Sequence, residues 1–221
     1  MRSYRQFCPA ARALDVVGER WALLIVRELL LGPRRYSDLK AGLPGIGPTV
    51  LSERLRALEE ACVVRRKRLA PPAASTVYVL SERGQALRPV LSSLFEWGLR
   101  LLDAPGADDT VRASYWVPAL QAGILATAAS RDHHDVFEFR VGEDRITVEN
   151  RRGEVVVRDG FAEDPDVVVA TDAHTFAKLG MGRLSAADAV ASGSMSVEGD
   201  PVAVERCAEL FGAAAGPPPP A

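Results

Sequence analysis

Four consecutive cations, Arg65, Arg66, Lys67 and Arg68, stand just after a segment, Pro48 to Ala61, whose leucines Leu51, Leu55 and Leu58 repeat at helical spacing. With one stripe facing a core, Thr49, Glu53 and Arg56 fall on the opposite arc, Ser52 and Arg54 flank it, and Pro48 suits the first turn. These side chains can read base edges. Arginine forks onto guanine and glutamate accepts from the cytosine amine, each good pair contributing about 1–3 kcal/mol of discrimination. Glu53 and Arg56 at i, i+3 have a plainer alternative, a surface ion pair of a few tenths of a kcal/mol. The four cations suit phosphate better than bases, and on a strand their directions alternate, so about two reach one backbone.

Other residues invite other chemistry. Cys8 directly precedes a helix starting near Pro9, with Arg5 and Arg12 close in sequence, a setting that favours the reactive thiolate; it reads equally well as a small buried hydrophobe. His133 and His134, between Asp132 and Asp135, point apart if adjacent on a strand, and no third ligand stands at metal spacing, so the expectation is no metal. Trp116, Phe137, Phe139, Phe161, Phe176, Met181 and Met195 fit either an apolar ligand pocket or an ordinary core. No nucleophile–base pair, phosphate-binding glycine loop or metal cluster is apparent, so the sequence predicts neither an enzyme nor a cofactor.

The elements that must position these groups follow from pattern. Helices are predicted over Pro9 to Val17, around Trp21 to Leu30 with Gly32-Pro33 as its stop, and around Tyr36 to Leu43. After the Gly42 to Gly47 turn comes the Pro48 helix, then a hairpin, Val63 onward and Thr76 to Leu80, with Pro71-Pro72 at its tip. A helix followed by a basic hairpin is how a winged helix-turn-helix meets the major groove and the flanking phosphates. Ser81 caps a long predicted helix reaching about Leu102. Its two apolar stripes run through Leu87, Leu91 and Leu94 and through Val90, Leu94, Trp97 and Leu101, which suggests a second buried face against another copy of the chain.

Beyond Ala104-Pro105-Gly106 the composition changes sign. Residues 1 to 103 hold 17 Lys+Arg against 10 Asp+Glu, a balance of +7; residues 104 to 221 hold 10 against 19, a balance of −9. A basic half suits a polyanion, and opposite signs suggest two modules. The second half reads as a helix over Val111 to Ala129, an antiparallel meander over Val136 to Val141, Arg145 to Glu149 and Glu154 to Arg158, and a strand at Asp166 to Ala170. Two short helices, a strand at Ser194 to Glu198 and a closing helix capped by Asp200 follow. The predicted organisation is α+β, with domains at 1–103 and 111–211, a linker at 104–110 and a disordered tail at 212–221. No apolar run approaches the ~20 residues of a membrane span, no secretory leader is evident, and three cysteines without CxxC spacing suit reduced cytoplasmic thiols.

Particular motifs also carry a resemblance. Cys8-Pro9-Ala10-Ala11-Arg12-Ala13-Leu14, Gly18-Glu19-Arg20-Trp21, Arg34-Arg35-Tyr36-Ser37-Asp38-Leu39, Leu51-Ser52-Glu53-Arg54-Leu55 and Leu80-Ser81-Glu82-Arg83-Gly84 resemble, over residues 7 to 102, the HxlR family of bacterial winged-helix regulators. The second half, through Asp166 to Asp172, Phe176 to Leu179 and Gly193 to Asp200, resembles the sterol-carrier-protein fold. The resemblance implies a DNA-binding transcription factor acting as a homodimer on a pseudo-palindromic operator, in the form of a repressor. Its dimer face would include Leu87, Leu91, Leu94, Trp97 and Leu101, and an apolar effector would bind the second domain. Cys8 matches the position of a redox-active cysteine in some members. The rival expectation is a lipid or small-molecule carrier whose first half serves only to dimerise. One departure is Cys62, where the family has glycine; a cysteine carries a cost of order 1 kcal/mol in a left-handed conformation, so the recognition helix is expected to end differently.

Overall fold

Pro9 has no N–H to lose at a helix start, and it opens α1 (Pro9–Val17) behind an extended Cys8. The computed structural model describes residues 3–70, 74–103, 105–106, 108–116 and 132–212, and its contacts divide the chain into two units, Met1–Leu91 and Ser92–Ala221. No described helix is long and apolar enough to cross a membrane.

In the first unit α2 (Ala22–Leu30) follows a left-handed Trp21 with φ 80°, and α3 (Tyr36–Gly42) leads through a tight turn to α4 (Pro48–Glu60). Strands β1 (Val64–Arg68) and β2 (Thr76–Leu80) pair antiparallel, with Arg66 opposite Tyr78. Arg34 adds a short third ladder: its N–H donates to the Tyr78 carbonyl at 3.1 Å and its carbonyl accepts from the Tyr78 N–H at 2.7 Å. The core collects Ile25, Leu29, Leu39, Leu43, Ile46, Leu51, Leu55 and Leu58, so the leucine stripe of α4 faces inward as its spacing requires.

Two local expectations are corrected here. Cys62 is left-handed, with φ 57°, so the chain leaves α4 by the turn a glycine would make despite the cost to a side chain. The long helix expected from Ser81 is two helices, α5 (Glu82–Gln85) and α6 (Arg88–Leu99). Pro89 explains the break, because its ring clashes with the carbonyl four residues back, at Gln85, and it donates no N–H. Ser81 does cap α5, its Oγ accepting from Gly84 N–H at 3.1 Å. Gly84 is buried where any Cβ would lie 2.3 Å from the Val63 carbonyl, which lets α5 pack down on the ribbon.

The second unit is built on strands β3 (His134–Val141), β4 (Asp144–Arg151), β5 (Glu154–Asp159), β6 (Val167–Thr171) and β7 (Met195–Gly199), in the order β5-β4-β3-β6-β7. The meander is antiparallel as read, but β3 and β6 pair in parallel, Phe139 opposite Val169, which makes the sheet mixed within the expected α+β class. Helices α7 (Ala173–Gly180), α8 (Ala186–Ala191) and α9 (Pro201–Gly212) complete it. Asp200 caps α9 as predicted, accepting from Ala203 N–H at 2.9 Å. Of the helix expected over 111–129, Ala113–Trp116 forms a 3-10 turn and 117–131 lie outside the described residues, as do 213–221 of the expected tail.

Phe137, Phe139 and Val141 are buried on one sheet face. The alternate face is not simply wet. Glu138 is 1% exposed and its carboxylate accepts from Arg140 Nε at 2.6 Å and Ala162 N–H at 2.8 Å. Burial pushes its pKa up, but those donors outweigh burial and hold it below the usual range.

Candidate nucleic-acid interface

Pro48 starts α4 behind the extended Gly47, and three buried leucines fix the rotation of the helix. Thr49, Ser52, Glu53 and Arg56 are therefore exposed together on the outer arc, with Pro48 exposed at its start. Arg54 stands half-buried on the flank of that arc. It is turned back along the unit, its guanidinium 3.4 Å from Glu19, and its Nε is buried with no hydrogen-bond partner among the described residues. Arg56 pairs with Glu60 at 3.5 Å, one turn on, in place of the alternative partner Glu53. Both side chains are largely exposed, so this pair is worth little and gives way readily.

Tyr36 and Ser52 join α3 to α4. The Tyr36 hydroxyl donates to the Pro48 carbonyl at 2.9 Å, and Ser52 Oγ donates to the Tyr36 oxygen at 3.4 Å. No linear pattern marks this. Tyr36 reads in the sequence as one of the apolar positions of α3, and its polar tip meets α4 only through folding.

The ribbon carries Arg65, Arg66, Lys67 and Arg68, all exposed. Their directions alternate along β1, and their roles divide. Arg66 is held, 3.0 Å from Glu59 at the end of α4 and 5.5 Å over the Tyr78 ring. Arg65, Lys67 and Arg68 make no ion pair among the described residues. Arg35, not among the predicted contacts, reaches the same ribbon through Nε to Ser75 Oγ at 3.2 Å. Glu59, Tyr78 and Arg35 are thus the supporting residues that sequence reasoning missed.

A cavity of about 600 Å³ lies beside the outer flank of α4, between Glu53, Arg54 and Arg56 and the amino-terminal arm at Ser3 and Tyr4. The arm is clamped by buried Asp15, which accepts from Tyr4 N–H at 2.9 Å and Ser3 Oγ at 3.0 Å. The Tyr4 hydrogen bond is the largest of the influences on the Asp15 carboxyl, whose pKa lies below the ordinary range despite burial. Cys8 is half-buried at the start of α1.

The remaining candidates fall elsewhere. On α5 and α6 Leu91 is in the core and Leu87 is half-buried, whereas Leu94, Trp97 and Leu101 stay exposed, the last two at 62%, with Val90 on the same stripe. In the second unit Trp116, Phe137, Phe139 and Met195 are buried and Phe176 and Met181 half-buried; Phe139 meets Phe176 edge-on at 6.3 Å and Trp116 meets Phe95 at 5.5 Å. Phe161 lies apart, exposed beneath the Arg145 guanidinium at 5.7 Å. His134 is occupied by Glu149 at 2.9 Å, and no group of metal-binding side chains gathers among the described residues.

Comparison with known proteins places both halves of the chain in described families. The HxlR-like helix-turn-helix family matches residues 16–105 and the SCP-2 sterol transfer family matches residues 120–212. The chain is 37% identical over 99 residues to the uncharacterized HTH-type transcriptional regulator YvaP of Bacillus subtilis, covering 44% of this chain and 92% of that protein. It is 34% identical over 105 residues to the HTH-type transcriptional regulator YodB of the same organism, covering 47% and 91%. The solved reduced form of YodB from B. subtilis aligns with a TM-score of 0.39 at 30% identity, over 46% of this chain and all of that one.

Proposed function

Because the chain belongs to the HxlR-like helix-turn-helix family, whose curated relatives are transcriptional regulators, we propose that it represses transcription as a homodimer on a pseudo-palindromic operator. DNA binding itself follows from family membership. The observation that carries this reading is the joint exposure of Thr49, Ser52, Glu53 and Arg56 beside Arg65, Lys67 and Arg68, which make no ion pair among the described residues. The helix arc would read bases and the ribbon would grip phosphates, without a catalytic step or a cofactor. Dimerisation is supported by the exposed stripe Val90, Leu94, Trp97 and Leu101, and two-fold symmetry would set half-site centres about 34–36 Å apart.

The second unit would carry the signal. Its match to the SCP-2 family and its aromatic interior support an apolar effector, which would act by binding one inter-wing spacing better than another. Modification of Cys8 is a second input, supported by its half-buried place at the α1 start, about two helical turns before the Asp15 clamp. Cys207, by contrast, is buried and its thiol is pushed up to about 12, chiefly by burial, so it stays protonated and inert.

Genome-wide footprinting of the tagged protein, followed by titration of the recovered duplexes against salt, tests the proposal. Site-selective, salt-dependent binding to paired half-sites is expected, with Trp97→Glu converting the dimer to monomer in light scattering and weakening that binding. Indifference to every promoter fragment, together with tight uptake of apolar ligands, would establish the carrier reading in its place. Loss of diamide sensitivity in Cys8→Ser is the expected result for the thiol input; an unchanged response excludes it.

A further inference from the structure

Tyr36, Pro48 and Ser52 form a hydroxyl relay whose direction is fixed by chemistry. A carbonyl oxygen only accepts, so the Tyr36 proton, 2.9 Å from the Pro48 oxygen, is committed there. The Tyr36 oxygen can then only accept, and the hydroxyl 3.4 Å away, Ser52 Oγ, turns its proton inward to it. Ser52 is exposed on the outer arc of α4 and Tyr36 is half-buried behind it. A serine hydroxyl ordinarily reads either a donor or an acceptor, because its proton rotates to suit the base. Here the rotation is biased inward, by a contact longer than an ordinary O–H···O bond.

We infer that Ser52 is an acceptor-only reader of the major groove, selecting a base with an exocyclic amine (adenine N6 or cytosine N4) over guanine or thymine, and that Tyr36 is the positioning residue that sets this polarity. The inference rests on the DNA-binding role proposed above. It concerns specificity at one base pair per half-site, not overall affinity, since the phosphate contacts supply most of that.

The test uses the full-length protein and a duplex recovered by selection from a random library, with every single base-pair variant measured for wild type, Ser52→Ala and Tyr36→Phe. At one position wild type should favour the amine-bearing base about fivefold, the size of one net hydrogen bond. Replacing that base by an analogue lacking the amine (purine for adenine, 2-pyrimidinone for cytosine) should cost wild type the same factor and Ser52→Ala nothing. Tyr36→Phe keeps the ring, frees the Ser52 proton, and should let guanine or thymine bind as well as the original base. A Tyr36→Phe profile identical to wild type at every position would overturn the inference, as would an amine analogue that costs wild type and Ser52→Ala equally. Should Tyr36→Phe fold poorly, the analogue comparison between wild type and Ser52→Ala decides alone. Absence of any selective duplex binding by wild type is a different failure, and it would remove the underlying regulator reading.

Discussion

Glu59, in the last turn of α4, and Arg66, in the middle of β1, are joined at 3.0 Å, so one of the four ribbon cations ties the β1–β2 ribbon to α4. The pair is partly exposed, and such pairs contribute about 0.2–1 kcal/mol. Its consequence is therefore orientation more than stability. Arg65 and Lys67, pointing to the other side of the strand, have no such tie among the described residues.

The four cations should accordingly be unequal in salt dependence. Arg65→Ala and Lys67→Ala are each expected to lower the slope of log K against log salt by about one, the signature of one phosphate contact. Arg66→Ala should lower it distinctly less, because Glu59 already compensates its charge. Anisotropy titrations over a range of salt measure this directly; an Arg66→Ala slope falling as far as that of Arg65→Ala contradicts the division.

Cys62→Gly should stabilise the first unit. Cys62 holds φ 57°, where a Cβ crowds the following carbonyl and glycine does not, and the gain net of glycine's greater chain entropy is about 0.5–1 kcal/mol. Urea unfolding followed by circular dichroism should show a higher midpoint for Cys62→Gly and a lower one for Cys62→Val. The reverse order would mean that the turn is held by something other than backbone preference.

Gly180→Ala should destabilise the second unit by about 1–3 kcal/mol, the usual penalty for an extra methyl forced against a packed side chain. A Cβ there would lie 2.7 Å from the Trp116 ring, which is itself buried. Pairing it with Trp116→Leu should recover part of the loss, since the smaller side chain vacates the space. Additive losses in that double-mutant cycle would show that the two positions do not meet.

Acid should weaken the second unit through Glu149. The Arg151 guanidinium, ahead of the opposing effect of burial and the help of His134, lowers its carboxyl to about 2 from an ordinary 4.5. A carboxyl depressed on folding stabilises the native state fully above its unfolded pKa, and that contribution fades as pH falls from about 4.5 towards 2. The stability difference between wild type and Glu149→Gln should therefore shrink across that window. A difference constant with pH would place the stabilisation elsewhere.

Much of this molecule is legible because its signals are local. Pro9 and Pro48 mark helix starts whatever surrounds them, Leu51, Leu55 and Leu58 name the face that must be buried, and Asp200 announces the helix it caps. Pro89 was equally local, yet the apolar stripes running through it suggested one helix where steric exclusion makes two. In the second unit the hairpin turns predict the antiparallel neighbours of β4, but the parallel pairing of β3 with β6 joins residues some thirty positions apart, and a strand pattern carries no partner label.

The amino-acid order alone determined that a leucine-backed helix presents Thr49, Ser52, Glu53 and Arg56 outward and that a basic ribbon follows it, because periodicity and chain continuity act over a few residues. Only the tertiary structure decided which of those groups are free. It turned Arg54 back to Glu19, gave Arg66 to Glu59 and aimed the Tyr36 hydroxyl at Pro48, since a side chain's partner depends on what packing brings within about 3 Å. That distance is set by the assembled core and cannot be read from spacing along the chain.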